Sequence, residues 1–182
     1  MAAGQAERFG SCKSLALLNG KPFLQHVIDA VTPIANNQIF AVTGRYHEEI
    51  KKQFPKLSLI ENKQWQQGLG SSISRGAKAL SDEYENLLIV LADQVAIKTD
   101  DIKALMESHQ PNQITCAFYS EKCGVPAIFS KSYFSQLLEL NSDQGAKALL
   151  SNSENNVVTI SMKRAALDID TLDQLQRYLS SN

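Results

Sequence analysis

The first thirteen residues, MAAGQAERFGSCK, contain the residue types that bind phosphate groups. Gly4 and Gly10 allow backbone turns that a Cβ would forbid, so successive N–H groups can converge on phosphate oxygens. Arg8 and Lys13 add positive charge within the same short segment. The segment therefore predicts a loop that wraps the phosphates of a nucleotide, and a plain glycine-containing surface loop is the alternative.

The two common phosphate-binding motifs are absent from this segment. A Walker loop needs a glycine directly before its Lys-Ser pair, whereas Gly10 stands three residues before Lys13. A dinucleotide fingerprint needs glycines spaced as G-x-G-x-x-G, whereas Gly4 and Gly10 are six residues apart. Neither motif therefore explains the loop.

Residues 62–76, NKQWQQGLGSSISRG, form a second candidate binding loop, between a predicted strand and a predicted helix. Gly68 and Gly70 bracket a tight turn, and Ser71 or Ser72 is predicted to cap the helix that follows. Such a helix start presents N–H groups and hydroxyls to a ligand.

Asp93 follows the most apolar strand of the chain, LLIVLA at 87–92. A carboxylate in that position suits Mg²⁺, which takes oxygen ligands and usually bridges substrate phosphates. A turn role for Asp93 is the alternative. We therefore assign Asp93 as the metal ligand to be tested.

The elements that would position these residues alternate along the chain. Strands are predicted at 38–43, 57–62, 87–92, 114–118 and 157–161, and helices after Pro22 and at 46–54, 99–109 and 173–179. The helix at 99–109 is predicted to be capped by Thr99 or Asp100, and Thr171 with Gln174 is predicted to form a capping box. This alternation predicts a parallel sheet covered by helices on both faces, with ligands beyond the carboxyl ends of its strands.

Composition sets the limits on function. The chain has 182 residues and a net charge of −1, which predicts one domain over 1–182 and no global attraction to nucleic acid or to an anionic membrane. No apolar run approaches the roughly 20 residues of a membrane helix, and no signal peptide pattern is present, so a cytoplasmic protein is expected. The three cysteines lack metal-site spacing. Cys12, beside Lys13, is a candidate for a lowered thiol pKa, although a loop residue without a catalytic role is favoured.

The opening segment resembles the signature L-A-A-G-x-S-x-R-[MF]-G-x-x-K of the MobA-like nucleotidyltransferases. The matching residues are Ala2, Ala3, Gly4, Arg8, Phe9, Gly10 and Lys13. Met1 replaces the Leu and Ala6 replaces the Ser of that signature. In the family this motif ends a central strand, so the resemblance implies that the first strand is truncated here. We expect an apolar N-terminal extension to stabilise the fold.

The second loop resembles the motif N-P-x-W-x-x-G-[ML]-G-S-S-[LI]-x-x-G of the molybdenum cofactor cytidylyltransferase branch. The matching residues are Asn62, Trp65, Gly68, Gly70, Ser71, Ser72 and Gly76. This branch implies CTP rather than GTP, with Gly68 to Ser72 contacting the base or ribose.

Weaker resemblances continue downstream. LADQ at 91–94 is similar to the family's [LAG]-x-D-[QM]-P, with Val95 in place of the Pro. Gly124 and Pro126 match a Gly-Val-Pro segment that precedes a strand on the acceptor side, and residues 137–150 match a motif that places Asp143 and Gln144 near the acceptor or at a helix cap. The closing motif around Asp168 and Asp170 implies a second metal ligand or a loop anchor.

The resemblance implies a three-layer α/β/α fold with a Rossmann-like, mixed and mostly parallel sheet of the nucleotide-diphospho-sugar transferase type. It implies transfer of a nucleoside monophosphate, CMP from CTP, to a phosphorylated acceptor such as the molybdopterin cofactor, with Mg²⁺ and release of pyrophosphate. A molybdoenzyme would receive the product, and no nucleic acid or membrane partner is implied. Two alternatives stay open: an NAD(P)H-dependent oxidoreductase of the same family, and a non-catalytic protein that binds nucleotide or cofactor during enzyme maturation.

Overall fold

A computed structural model of the chain describes residues 1–4, 9–36, 38–143, 145–167, 169 and 171–180. The strands are β1 (Leu17–Leu18), β2 (Lys21–Pro22), β3 (Phe40–Thr43), β4 (Ser58–Glu61), β5 (Asn86–Ile89), β6 (Ile114–Tyr119), β7 (Lys122–Ser130) and β8 (Val157–Ser161). The helices are α1 (Phe23–Val31), α2 (His47–Gln53), α3 (Leu69–Leu80), α4 (Thr99–Ser108), α5 (Phe134–Leu138), α6 (Lys147–Ser151) and α7 (Leu172–Ser180). Among these helices, none is long and apolar enough to cross a membrane.

The strands form two main sheet portions and a small β1–β2 hairpin. Strands β3 and β4 pair in parallel, with Phe40 opposite Ser58. The larger portion has the order β5-β7-β6-β8, in which β7 is antiparallel to both β5 and β6 while β8 is parallel to β6. The sheet is therefore mixed, as expected.

Met1 and Ala2 join the two sheet portions. The Ala2 N–H donates to Val42 O at 2.8 Å, and Ala2 forms a parallel bridge with Thr43. On the other side the Met1 amine donates to Val90 O at 2.7 Å, and the Ala92 N–H donates to Met1 O at 2.9 Å. These bonds straddle Leu91 in the pattern of a parallel pair. Met1 and Ala2 thus form a short central strand, called the central rung below, between β3 and the extension of β5.

The helices cover both faces of the sheet, because successive strand residues point to opposite sides. On one face Leu87 and Ile89 pack with α3, α5 and α6 in one apolar cluster. On the other face Val90 and Ile128 pack with α1 and α4 in a second cluster. The three-layer α/β/α architecture is confirmed by these two clusters.

Local predictions are confirmed for most elements, and the caps predicted for α3 and α4 are wrong; the cap of α3 is described with the second loop below. The capping box is present, since the Thr171 N–H donates to Gln174 Oε1 at 3.0 Å and the Gln174 N–H donates to Thr171 Oγ1 at 3.2 Å. Helix α4 instead begins after Lys98, whose N–H donates to the Asp101 carboxylate at 2.8 Å. The cap predicted at Thr99 or Asp100 is wrong because Lys98 occupies the cap position, where the Asp101 side chain accepts from its N–H.

A cavity of about 400 Å³ begins at Met1 and extends between β3 and β5 toward the amino ends of these strands. Strands β3 and β5 form its two sides, and helices α1 and α3 close its faces with apolar side chains such as Leu24, Val27, Ile73 and Leu80. Because the segment Met1–Ala2 bonds to the strands on both sides, this slot-shaped cavity between β3 and β5 is two strand spacings wide, about 9.6 Å. The slot therefore has the dimensions and the lining of a buried strand.

We predict that five apolar residues added before Met1, in the order Val-Ile-Val-Val-Leu, stabilise the fold. Burial of one or two such side chains contributes about 2 kcal/mol or more, which corresponds to a rise of roughly 4–8 °C in Tm for a chain of this size. A five-residue Gly-Ser extension is the control. Equal midpoints for the two extended proteins in thermal unfolding would contradict the prediction.

The buried amino terminus predicts pH-dependent stability. Burial lowers the pKa of the Met1 amine from 8.0 to about 6, while the Asp93 carboxylate opposes that shift. Below pH 6 the amine is charged in the folded and in the unfolded protein, so the folded protein bears the full free-energy cost of burying a charge. Above pH 8 the amine is neutral in both states and that cost is absent. The free energy of unfolding should therefore rise between pH 6 and 8, by roughly 3 kcal/mol.

This dependence is measured by urea unfolding of the 182-residue chain against the same chain acetylated at Met1, which has no amine to titrate. His109 also has a pKa lowered by burial, and it titrates in both proteins. The slope between pH 6 and 8 should therefore be steeper in the unacetylated chain, and identical slopes would exclude the effect.

Candidate functional site

A cavity of about 290 Å³ opens at the carboxyl edge of the central strands. It is lined by Met1, Ala2, Ala3, Gly4, Cys12, Lys13, Ser14, Tyr46, Leu69, Leu91, Ala92 and Asp93. The structure thus brings together four of the residues singled out from the sequence: Ala3, Gly4, Lys13 and Asp93. They meet here because the opening loop leaves the central rung directly beside the end of β5.

The opening loop is anchored at both ends. Ala3 is buried next to the central rung, and Phe9 is buried with its ring edge-on to Phe23 at a centroid distance of 6.1 Å. Gly10 has a φ of +74°, a conformation that favours glycine, and no neighbour lies within 4 Å of where its Cβ would stand. Arg8 lies outside the described residues, so its assigned role stays a prediction.

Lys13 and Asp93 form an ion pair in the cavity wall. The distance from Lys13 Nζ to Asp93 Oδ2 is 2.8 Å, and the two side chains are 13% and 28% exposed. Lys13 begins a short 3₁₀ turn, Lys13–Leu15, while Asp93 follows β5, eighty residues further on. The pair places a cation and a carboxylate, both partly shielded from water, on the same side of one cavity.

Gln94 fixes the turn that carries Asp93. Its Oε1 accepts from the Leu91 N–H at 3.1 Å, and its Nε2 donates to Val125 O at 2.7 Å. The second bond ties the turn to the segment containing Gly124 and Pro126, where the Val125–Pro126 peptide is cis. Pro126 is fully buried, and a Cβ at Gly124 would collide with the Tyr119 ring. Both residues therefore have packing reasons for their identity, and their acceptor role stays a prediction.

The second loop is held by a buried amide. Asn62 Nδ2 donates to Ser71 Oγ at 3.0 Å and to Ser72 Oγ at 2.9 Å, and Asn62 Oδ1 accepts from the Gln64 N–H at 3.0 Å. Helix α3 starts at Leu69 with Gly68 at its cap position, and no side chain caps it. The serine cap predicted from the sequence is wrong, because the serines lie inside the first turn and their hydroxyls bond to Asn62.

Gly68 and Gly70 make room for the loop that contains Asp143. The Gly70 N–H donates to Ser142 O at 2.8 Å, and a Cβ there would lie 2.7 Å from the same oxygen. Gly68 has a φ of +96°, and a Cβ there would overlap the Asp143 carboxylate. The predicted nucleoside loop and the predicted acceptor loop are therefore packed against each other. Gln144 lies outside the described residues.

The described residues contain no cluster of three or more His, Cys, Asp or Glu that could form a metal cage. Asp93 supplies one carboxylate in the cavity, and Mg²⁺ fits such a site, because it is commonly held by one or two carboxylates together with substrate phosphates and water. Asp168 and Asp170 lie outside the described residues, so a second carboxylate stays a prediction.

Burial raises the pKa of the Cys12 thiol. The candidate lowering of that pKa by Lys13 is therefore wrong, and Cys12 is a lining residue rather than a reactive thiolate. Sequence reasoning missed Tyr46 and Leu69, which also line the cavity. Tyr46 stands just after β3, so its place at the carboxyl edge of a predicted strand was the available signal.

A three-layer α/β fold with a glycine loop, a lysine and a carboxylate at the carboxyl edge of its sheet defines a nucleotide-binding α/β domain. The chain belongs to the family of MobA-like NTP transferase domains, whose sequence model matches residues 1–157.

The chain is also similar to individual proteins. The bifunctional protein GlmU of Staphylococcus saprophyticus is 24% identical over 172 residues, which are 93% of this chain and 34% of GlmU. A manganese complex of Rv0371c from Mycobacterium tuberculosis has a TM-score of 0.81 at 18% identity, covering 99% of this chain and 95% of that one. Molybdopterin-guanine dinucleotide biosynthesis protein A of Archaeoglobus fulgidus has a TM-score of 0.73 at 17% identity, covering 99% and 95%.

The likeness to GlmU covers part of a longer protein, whereas the likeness to the solved structures covers nearly all of each chain. This chain spans about a third of the length of the GlmU protein that it matches. At under 25% identity, the likeness to the two solved structures establishes the fold.

We predict that Gly68→Ala separates the two packed loops. The added Cβ overlaps the Asp143 carboxylate, so the loop at 141–143 must shift and its bond to Gly70 weakens. The expected loss is about 1–3 kcal/mol of unfolding free energy, with faster amide exchange at Gly70. Gly70→Ala is the companion variant, since Gly70 has no positive φ and its new Cβ would lie 2.7 Å from Ser142 O of the same loop. A loss in urea unfolding for Gly68→Ala alone would assign the effect to backbone strain at Gly68, whose φ of +96° and ψ of −174° favour glycine.

Proposed function

We propose that this protein is a cytoplasmic nucleotidyltransferase that moves CMP from CTP to a phosphorylated acceptor such as the molybdopterin cofactor, with release of pyrophosphate. The observation that carries the proposal is the Lys13–Asp93 pair in the wall of a cavity that Ala3 and Gly4 also line. Membership in the family of MobA-like NTP transferase domains supports it, because cationic side chains stabilise phosphate charge and carboxylates hold the divalent ion that accompanies it. A molybdoenzyme would then receive the product.

The reaction asks for positioning and charge stabilisation rather than covalent catalysis. A phosphate oxygen of the acceptor attacks the α-phosphorus in line, a bond to the α-phosphorus forms, and the bond to the pyrophosphate oxygen breaks. The opening loop would orient the triphosphate through its N–H groups. Lys13, and by its place in the signature Arg8, would neutralise the negative charge that grows on the leaving pyrophosphate.

Asp93 would hold Mg²⁺ together with the triphosphate oxygens. A divalent ion bound there supplies charge neutralisation for the phosphates. The Lys13 ammonium donates to the Asp93 carboxylate. When nucleotide binds, Lys13 would exchange this bond for one to the phosphates, since the carboxylate and the phosphates are both anionic and the lysine side chain is flexible. The manganese complex of Rv0371c is consistent with a divalent ion in this fold.

The choice of CTP rests on the likeness of residues 62–76 to the cytidylyltransferase motif. Gly68, Gly70, Ser71 and Ser72 would act mainly by shaping the loop, since both hydroxyls are bonded to Asn62. Asp143, Gly124 and Pro126 would border the acceptor, because both of their segments are tied to residues next to the cavity. The Archaeoglobus fulgidus relative is named for a guanine dinucleotide, so GTP is the competing nucleotide.

A thermal-shift panel tests the nucleotide. CTP, GTP, ATP, UTP and NADPH are each added with and without Mg²⁺, and a ligand at 100 times its Kd contributes about 2.7 kcal/mol. We expect the largest shift from CTP with Mg²⁺. A larger shift with GTP would replace CTP as donor, and a shift with NADPH alone would favour the oxidoreductase alternative.

Lys13→Ala and Asp93→Asn should each lower turnover by on the order of 10²-fold or more, because each removes a charge beside the reacting phosphates. Pyrophosphate release is measured with CTP, Mg²⁺ and molybdopterin as acceptor. Lys131→Ala is the control, since Lys131 pairs with Glu85 at 2.7 Å near the amino end of β5, away from the cavity. Wild-type turnover in Lys13→Ala or Asp93→Asn would remove that residue from the mechanism.

A further inference from the structure

Tyr46 is the one aromatic side chain that lines the 290 Å³ cavity among the described residues. It follows β3 by three residues and is half-buried, with apolar contacts to the cluster around Ala2 and Ala92. The same cavity contains Lys13 and Asp93, which we assign to the triphosphate and its metal. The phosphate-binding groups and one aromatic ring thus share a single cavity.

The backbone around Tyr46 is fixed before any ligand binds. A Cβ at Gly44 would lie 2.6 Å from Ala3 O and 2.6 Å from Trp65 Cβ, so the turn is wedged between the opening loop and the second loop. His47 Nδ1 lies 2.7 Å from Thr43 Oγ1, which holds the start of α2 against the end of β3. The turn that carries Tyr46 is therefore packed against both loops that border the cavity.

The ring of Tyr46 also carries a cation. Arg45 Cζ lies 5.5 Å from the centroid of the ring, within the range of a cation–π contact. The guanidinium covers one face, so a planar ligand would take the other. An aromatic ring beside a triphosphate site is suited to stack a nucleobase, since every base has a π-face.

We propose that Tyr46, supported by Arg45, is the stacking partner of the nucleobase in this cavity. The inference rests on the proposed nucleotidyl transfer and adds a contact that the signature motifs do not contain. It gives affinity for the base without choosing among bases, because stacking is tolerant of base identity. The choice of CTP would then depend on other groups, including the loop that Asn62 holds.

The test separates the base from the phosphates. CTP and inorganic tripolyphosphate, each with Mg²⁺, are titrated calorimetrically into the 182-residue protein and into Tyr46→Ala and Tyr46→Phe. Tyr84→Ala is the matched control, since Tyr84 is also half-buried, with its ring 5.9 Å from that of Phe40, and precedes β5 at the opposite end of that strand. Far-UV circular dichroism confirms that each variant is folded.

Tyr46→Ala should weaken CTP binding by on the order of 10- to 100-fold and leave tripolyphosphate binding unchanged. Tyr46→Phe and Tyr84→Ala should bind both ligands like the parent. An equal loss for CTP and tripolyphosphate in Tyr46→Ala would mean that the residue only shapes the loop, and an unchanged CTP affinity would mean that the base lies elsewhere. Either result overturns this inference alone, whereas a parent protein that binds neither ligand overturns the proposed function as well.

Discussion

The pairing of Met1 and Ala2 with both neighbouring strands is the constraint on which the site depends. Ala2 bonds to Val42 O and Met1 bonds to Val90 O, so these two residues lie as one strand between β3 and the extension of β5. Because the opening loop leaves this rung directly, its glycine and lysine reach the end of β5, where Asp93 stands. A shift of the rung by one residue would turn its side chains to the opposite face and separate the loop from the carboxylate.

The loops around the cavity are packed closely against one another. Gly44 is wedged between Ala3 and Trp65, and Gly68 and Gly70 admit the loop at 141–143. Each of these glycines is therefore required by close packing of protein against protein, whether or not a ligand also approaches it. The opening loop, the turn at Gly44, the second loop and the loop at 141–143 therefore form one connected rim.

Sequence patterns predicted the strands and helices well because their apolar periodicity is strong, and β6 and β8 lie where it indicated. They also placed Lys13 and Asp93 in one site, since residues after parallel strands meet at one edge of a sheet. The caps were predicted less well, because a cap depends on competition among neighbouring side chains. At Ser71 and Ser72 the buried Asn62 takes both hydroxyls, and no local pattern reports that. The sequence did not indicate Tyr46, because its place depends on a cavity that three distant segments build.

The Lys13–Asp93 pair explains how the proposed polyanion site can be stable without a bound polyanion. A charged group left unpaired in a partly buried wall would lose hydration without compensation, whereas here the cation and the carboxylate neutralise each other at 2.8 Å. In the proposed reaction an arriving triphosphate would offer Lys13 a partner of higher charge, and the metal that accompanies the triphosphate would offer the same to Asp93. That exchange would replace one ion pair by two, so the affinity for nucleotide and the affinity for the divalent ion should depend on each other.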